Sequence, residues 1–196
     1  MIQATAKQIL IWGAPLLVGL ASIRFVLLPP EIAFLHMAHQ ISQTPLLFLI
    51  HIYVAPVALI LVPVQLWPGL RTRQPWLHRV LGRVAVLAML VGGLSGLLIA
   101  PAAQGGLSGQ LGFGLLGVVW MGTAGLGLWH IRAGNVAAHR RWMLRAAALA
   151  WAGVMLRLYL PVLMPTVGVH LTFATTAWLC WLRRRAQPGA LQRALG

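Results

Sequence analysis

The sequence predicts an all-α fold, a polytopic transmembrane helical bundle of about six spans, on three observations. The chain is 60% hydrophobic and only 8% charged over 196 residues, which takes it outside the range of soluble domains. Its apolar residues gather into runs close to the ~20 that a helix needs to cross a hydrocarbon core about 30 Å thick. Its cations gather between those runs, and all four clusters fall on one face when six spans are counted.

The runs lie at about 9–28, 44–66, 79–100, 110–131, 142–161 and 164–182. The first follows Lys7 and resembles a signal-peptide core. Its length and the lack of a small-x-small cleavage pattern favour a retained span. Pro15, Pro56 and Pro63 fall inside spans one and two, where they are expected to kink the helices. A turn is expected at Pro161–Pro165 between spans five and six. The basic clusters are Lys7, the corner Arg71–Arg83, the corner Arg132–Arg145 and the tail Arg183–Arg193. Lys and Arg in short loops stay cytoplasmic, so both termini are expected inside a bacterial inner membrane. Arg183–Arg185 are expected to snorkel to headgroups. Spans two to five form the expected core, with spans one and six outside and glycines in VGGLSG and MGTAGLGLW allowing close contact. No soluble domain has room to exist, so residues 1–196 read as one integral membrane domain with a basic tail at 183–196.

Composition excludes several functions. A net charge of +14 would suit nucleic acid, but such binding needs a solvated basic face rather than cations wedged between apolar runs. A single cysteine, Cys180, rules out an internal disulfide. Glu31 is the sole acidic side chain, so carboxylate pairs, acid-rich calcium or magnesium sites and carboxylate proton relays are unavailable. An intramembrane hydrolase would lack an aspartate to orient its nucleophile. Whether the chain is an enzyme stays open at this level.

The two inner corners echo each other. RTRQPWLHR and RAGNVAAHR both read Arg-x6-His-Arg, with a further arginine after each, Arg83 and Arg145. Trp67 and Trp129 stand a few residues upstream. Two parallel hairpin repeats would explain this, as would coincidence on a common topology.

Histidine inside a span is costly without a partner and is a functional candidate by default. His78 and His139 begin facing helices at one depth, and two neutral imidazoles so placed suit the axial positions of a haem b iron. Arg83, Arg145 and Arg157 would then neutralise propionates. His51 and His170 would form a second, outer pair. The competing readings are an interfacial role for His78 and His139, and for His51 a hydrogen bond to a carbonyl freed by Pro56. Arg24 is expected to snorkel outward, and Arg157 to face an anionic group or Glu31. In the loop LHMAHQ, His36, Met37 and His39 offer a composition suited to copper. Tryptophans near span ends form an aromatic belt.

The segments LIHIYVAPVALILVPVQLWPGLRTRQPWLHRVLGR and HRRWMLRAAALAWAGVMLRLYLP resemble the bacterial and fungal membrane-protein family known as domain of unknown function 2306. The markers His51, Pro63, Gln65, Arg71, His78-Arg79, Gly82-Arg83, His139-Arg140, Trp142-Met143, Arg145 and Arg157 recur in order, giving a family-like core at 44–161. Val84-Ala85 and Ala146-Ala147 stand where relatives carry an aromatic and a Ser-aromatic pair, so hydrogen bonds available to relatives are missing here. The family implies no established activity.

Two functions are therefore expected in parallel. One is a small b-type haem protein passing electrons to a redox partner or quinone, similar in layout to the cytochrome b561 type, although span four offers no outer histidine. The other is a non-redox carrier or binding protein for a lipid or organic anion. The bilayer is the surrounding partner in both, and a homo-oligomer is compatible with either.

Overall fold

The computed structural model describes residues 13–22, 28–29, 32 and 37–182, and among these it is helical with no strand. Its helices are α1 (Gly13–Ser22), α2 (Ala38–Gln43), α3 (Pro45–Leu66), α4 (Pro68–Arg73), α5 (Pro75–Ile99), α6 (Gly106–Arg132), α7 (Val136–Ala150) and α8 (Ala152–Leu182). Four stretches are long and apolar enough to cross a membrane: Pro45–Leu66, Pro75–Ala102, Gly106–Arg132 and Val136–Leu182. Lys7, Arg24, Glu31, His36 and the tail from Arg183 lie outside the described residues.

Pro56 and Pro63 sit inside α3 without ending it, and both are buried. The fifth run begins earlier than hydropathy suggests, at Val136. His139, Arg140 and Arg141 depress the local hydropathy, yet the helix starts before them because the Asn135 side chain accepts a hydrogen bond from the Ala138 N–H at 2.9 Å. That bond satisfies one of the donors a helix start leaves open.

The expected turn at Pro161–Pro165 is not a turn. Both prolines lie within α8, and the helical dihedrals break instead at Gly168, with φ 79° and ψ 167°. Each proline removes one N–H donor while keeping a helix-compatible φ, whereas the Gly168 conformation is essentially closed to residues with a Cβ. Before the break the chain runs back along α6, with Met143 against Gly127 and Ala146 against Trp120. After it the chain returns along the start of α6, with His170 against Gly106 and Ala177 against Gly112. Gly168→Ala is therefore expected to destabilise the fold by about 1–3 kcal/mol, measured as a lowered unfolding midpoint in detergent micelles.

The core gathers α3, α5, α6 and α7 around Leu59, Val62, Met89, Trp120 and Ala147. Trp120, 9% exposed, satisfies its indole by donating from Nε1 to the Ala146 carbonyl at 3.0 Å, as a buried Trp must. Helices α5 and α6 cross where Gly93 meets Gly117: a Cβ on Gly117 would stand 2.7 Å from the Gly93 carbonyl oxygen. Such contacts suit a membrane bundle, whose helices associate by close packing rather than by exclusion from water. Helix α1 lies on α3, with Gly19 against Ile60, and the returning leg of α8 lies on α6.

Candidate functional site

At the arginine-rich end, α3 and α6 finish while α5 and α7 begin. Between them lies a cavity of about 840 Å³. Its polar lining is Gln65, His78, His139 and five arginines, 71, 79, 83, 132 and 140. Among the described residues no carboxylate lines it. The rest of the wall is apolar, from Val62, Leu66, Val86, Met89, Met143 and Ala147 among others. Two helix starts, those of α5 and α7, reach this end and add the partial positive charge of their open N–H groups.

The echoed corners are alike in register and unlike in build. His78 and His139 are each the fourth residue of their helix, and each backbone N–H bonds to the capping residue, Gln74 or Asn135. Upstream, the first corner inserts the short helix α4, whereas the second turns within Ala133–Asn135, with Gly134 at φ 75°. Downstream the arginines diverge. Arg83 follows His78 by five residues and lines the cavity, but five residues after His139 stands Leu144, which lines it instead. Arg145 is one residue later, turned roughly 100° around the helix. Its guanidinium stacks 4.3 Å from the centre of the Trp142 ring, a cation–π contact. Arg145 is thus not part of the cavity.

The imidazoles are held differently. His139 Nδ1 lies 2.8 Å from the Gly127 carbonyl oxygen; a carbonyl only accepts, so Nδ1 carries a proton and, in the neutral ring, Nε2 is left as the acceptor. His78 meets the Gln65 amide. With its nitrogen toward the ring, that amide donates to His78 Nδ1 at 2.9 Å and its oxygen accepts from the Gly82 N–H at 3.0 Å. His78 therefore carries its proton on Nε2. One ring offers a donor and the other an acceptor.

A second cavity of about 300 Å³ lies toward the opposite end, lined by Gln40, His51 and Arg157 within an apolar wall. His51 Nδ1 donates to the Gly92 carbonyl of α5 at 3.0 Å and lies 3.3 Å from Ser95 Oγ. Its partner is thus a neighbouring helix rather than a carbonyl freed by Pro56. His170 does not join it: that residue is exposed and rests on Gly106. Arg157 donates from Nη1 to the Gly153 carbonyl one turn back at 3.0 Å.

His39 has both ring nitrogens engaged, Nε2 with the Ala102 carbonyl at 2.6 Å and Nδ1 with the Gln104 amide at 3.4 Å. Met37 lines the second cavity, and His36 lies outside the described residues. No group of three His, Cys, Asp or Glu able to hold a metal occurs among the described residues. Cys180 is buried.

Reasoning from sequence placed His78, His139 and Arg83 but left out Gln65, Arg71, Arg79, Arg132 and Arg140 as lining residues. The arginines were visible in the repeated Arg-x6-His-Arg pattern itself, which brackets each histidine with guanidiniums.

Helices of this length and hydropathy, packed through glycines around a cationic pocket, define a multi-pass membrane protein that lives in a lipid bilayer. Residues 48–188 match the model of the family described as "Predicted membrane protein (DUF2306)", and the chain belongs to that family. No curated protein and no solved structure matches it.

Proposed function

We propose that this is a non-redox membrane protein that binds or carries an amphipathic organic anion, held in the cavity at the arginine-rich end. The observation that carries the reading is the lining: five guanidiniums and two imidazoles, no carboxylate among the described residues, and an apolar wall beside them. All five arginines are exposed to the open side of the cavity, and guanidiniums crowded around one space repel one another until a counter-ion joins them. An anion with an apolar body supplies the missing charge and covers the wall. The arginines suit carboxylate or phosphate groups because their planar forks bind such oxygens in pairs. Six spans, with both termini and this cationic end on the cytoplasmic side of a bacterial inner membrane, complete the reading on the positive-inside bias.

A haem b reading retains one specific support. His139 gives its Nδ1–H to a backbone carbonyl, the bond by which a metal-ligating histidine is usually oriented. His78 would have to reverse its bond with Gln65 to present a lone pair. Haem, if held, would supply one-electron chemistry, and His78 and His139 would hold it with Arg83 beside its carboxylates. Arg145 lies outside that set, and His51 with His170 supplies no second pair.

Purification in mild neutral detergent from haem-supplemented cells, followed by oxidised and reduced absorption spectra and lipid mass spectrometry, separates the two. The expected result is a colourless, folded protein with an anionic amphiphile retained. A Soret band with sharp reduced α and β bands at near-stoichiometric haem would overturn the carrier reading in favour of the cytochrome.

A further inference from the structure

The two imidazoles narrow the class of anion. We propose that the cavity selects a phosphomonoester headgroup carried on an apolar chain; this rests on the anion-binding reading and names its ligand. Three features of the cavity converge on that chemistry.

The first is charge. Five guanidiniums and the starts of α5 and α7 surround the space with no acid among the lining residues. A carboxylate or a phosphodiester offers two unesterified oxygens to these donors, whereas a phosphomonoester offers three, one of which can keep its proton because the second pKa is about 6. The second is the split between the rings. His78 offers Nε2–H as a donor and His139 offers Nε2 as an acceptor. A phosphomonoester in its monoanionic form carries both complements, P–O⁻ for His78 and P–O–H for His139. The proton stays in the O–H···N bridge, so no other group need supply or remove one. A phosphodiester or a carboxylate has no such hydrogen to offer His139 Nε2. The third is the wall: Val62, Leu66, Val86, Met89, Met143 and Ala147 give an apolar chain a continuous surface beside the headgroup.

The test is a binding comparison on the full-length protein in neutral detergent, with four probes: dioleoyl phosphatidic acid, dioleoyl phosphatidylglycerol, oleate and inorganic phosphate. Phosphatidic acid is expected to bind at least about tenfold tighter than the diester lipid or the fatty acid, a difference of about 1.4 kcal/mol. His139→Ala should bring phosphatidic acid down to the diester's affinity, so that the ratio between the two lipids falls to about one while binding of the diester stays measurable. This double readout separates recognition of the P–O–H group from loss of folding, which would weaken both. Equal affinities for the two lipids on the unaltered protein would overturn the proposal while leaving anion binding intact, and that comparison needs no variant. Binding of none of the four would overturn the anion reading itself. Inorganic phosphate binding as tightly as phosphatidic acid would keep the headgroup chemistry but overturn its lipid source.

Discussion

Gly117→Leu is expected to abolish the folded protein. At this residue α6 passes so close to α5 that even a single Cβ would stand 2.7 Å from the Gly93 carbonyl oxygen and 3.3 Å from Leu97 Cβ. The obstructing atom at 2.7 Å is backbone, so no side-chain rotation relieves the clash. The two helices must separate, and separation strips contacts from Met89, Trp120 and Ala124 on either side of the crossing. Inserting methylenes into a well-packed core costs about 1–3 kcal/mol where side chains can give way. Here they cannot, and close packing is the chief force holding helices together in lipid. Loss of the monodisperse peak in size-exclusion chromatography, with loss of a cooperative thermal transition, is the expected outcome. Gly122→Leu is the matched control, because nothing lies within 4 Å of its Cβ position. A Gly117→Leu protein that melts like the control would show that the α5–α6 crossing is not where the bundle is held.

Much of this fold is visible in hydropathy because a bilayer imposes one rule along the whole chain. Runs at 44–66, 79–100 and 110–131 correspond to α3, α5 and α6 within a turn or so, since nothing but a helix satisfies backbone polar groups in hydrocarbon. The misreadings share a cause. Hydropathy averages over side chains and is blind to backbone preference. It therefore discards the charged first turn of α7, which the Asn135 cap stabilises. It also credits Pro161 and Pro165 with a break that the torsion angles assign to Gly168.

The site was legible where the argument used register and illegible where it needed rotation. His78 and His139 occupy the same position in their helices because the repeated pattern fixes their distance from the helix start. Arg83 and Arg145 look equivalent as "the next arginine", yet one extra residue turns Arg145 onto Trp142 and gives its place to Leu144. Depth alone misleads in the same way for His51 and His170. Both fall toward one end of the bundle, but His51 is tied to α5 and His170 lies exposed on α6. Gln65, which decides which His78 nitrogen carries the proton, comes from the end of α3 and is tied to its partner only by the fold.

Charge reversal at Arg83 is expected to have the largest effect on ligand binding. Unit charges ~5 Å apart at an effective dielectric of ~20 interact by roughly 3 kcal/mol. A glutamate at this position removes an attraction of that order and supplies a carboxylate that competes for the guanidiniums of Arg79, one turn back on the same helix, and of Arg140 on α7. Tenfold in affinity corresponds to about 1.4 kcal/mol. Arg83→Glu should therefore weaken binding of an anionic amphiphile by about a hundredfold, read by calorimetry or by displacement of a fluorescent anionic lipid. Arg141, exposed as Arg83 is, stands at the same end without lining the cavity, and Arg141→Glu makes the same change there. Its effect should be small and should fade in salt, since an exposed charge is screened beyond ~10 Å at 0.1 M ionic strength. Equal losses for the two variants would mean that the anion is drawn to the surface as a whole. A loss confined to Arg83→Glu ties binding to the space between the two echoed corners.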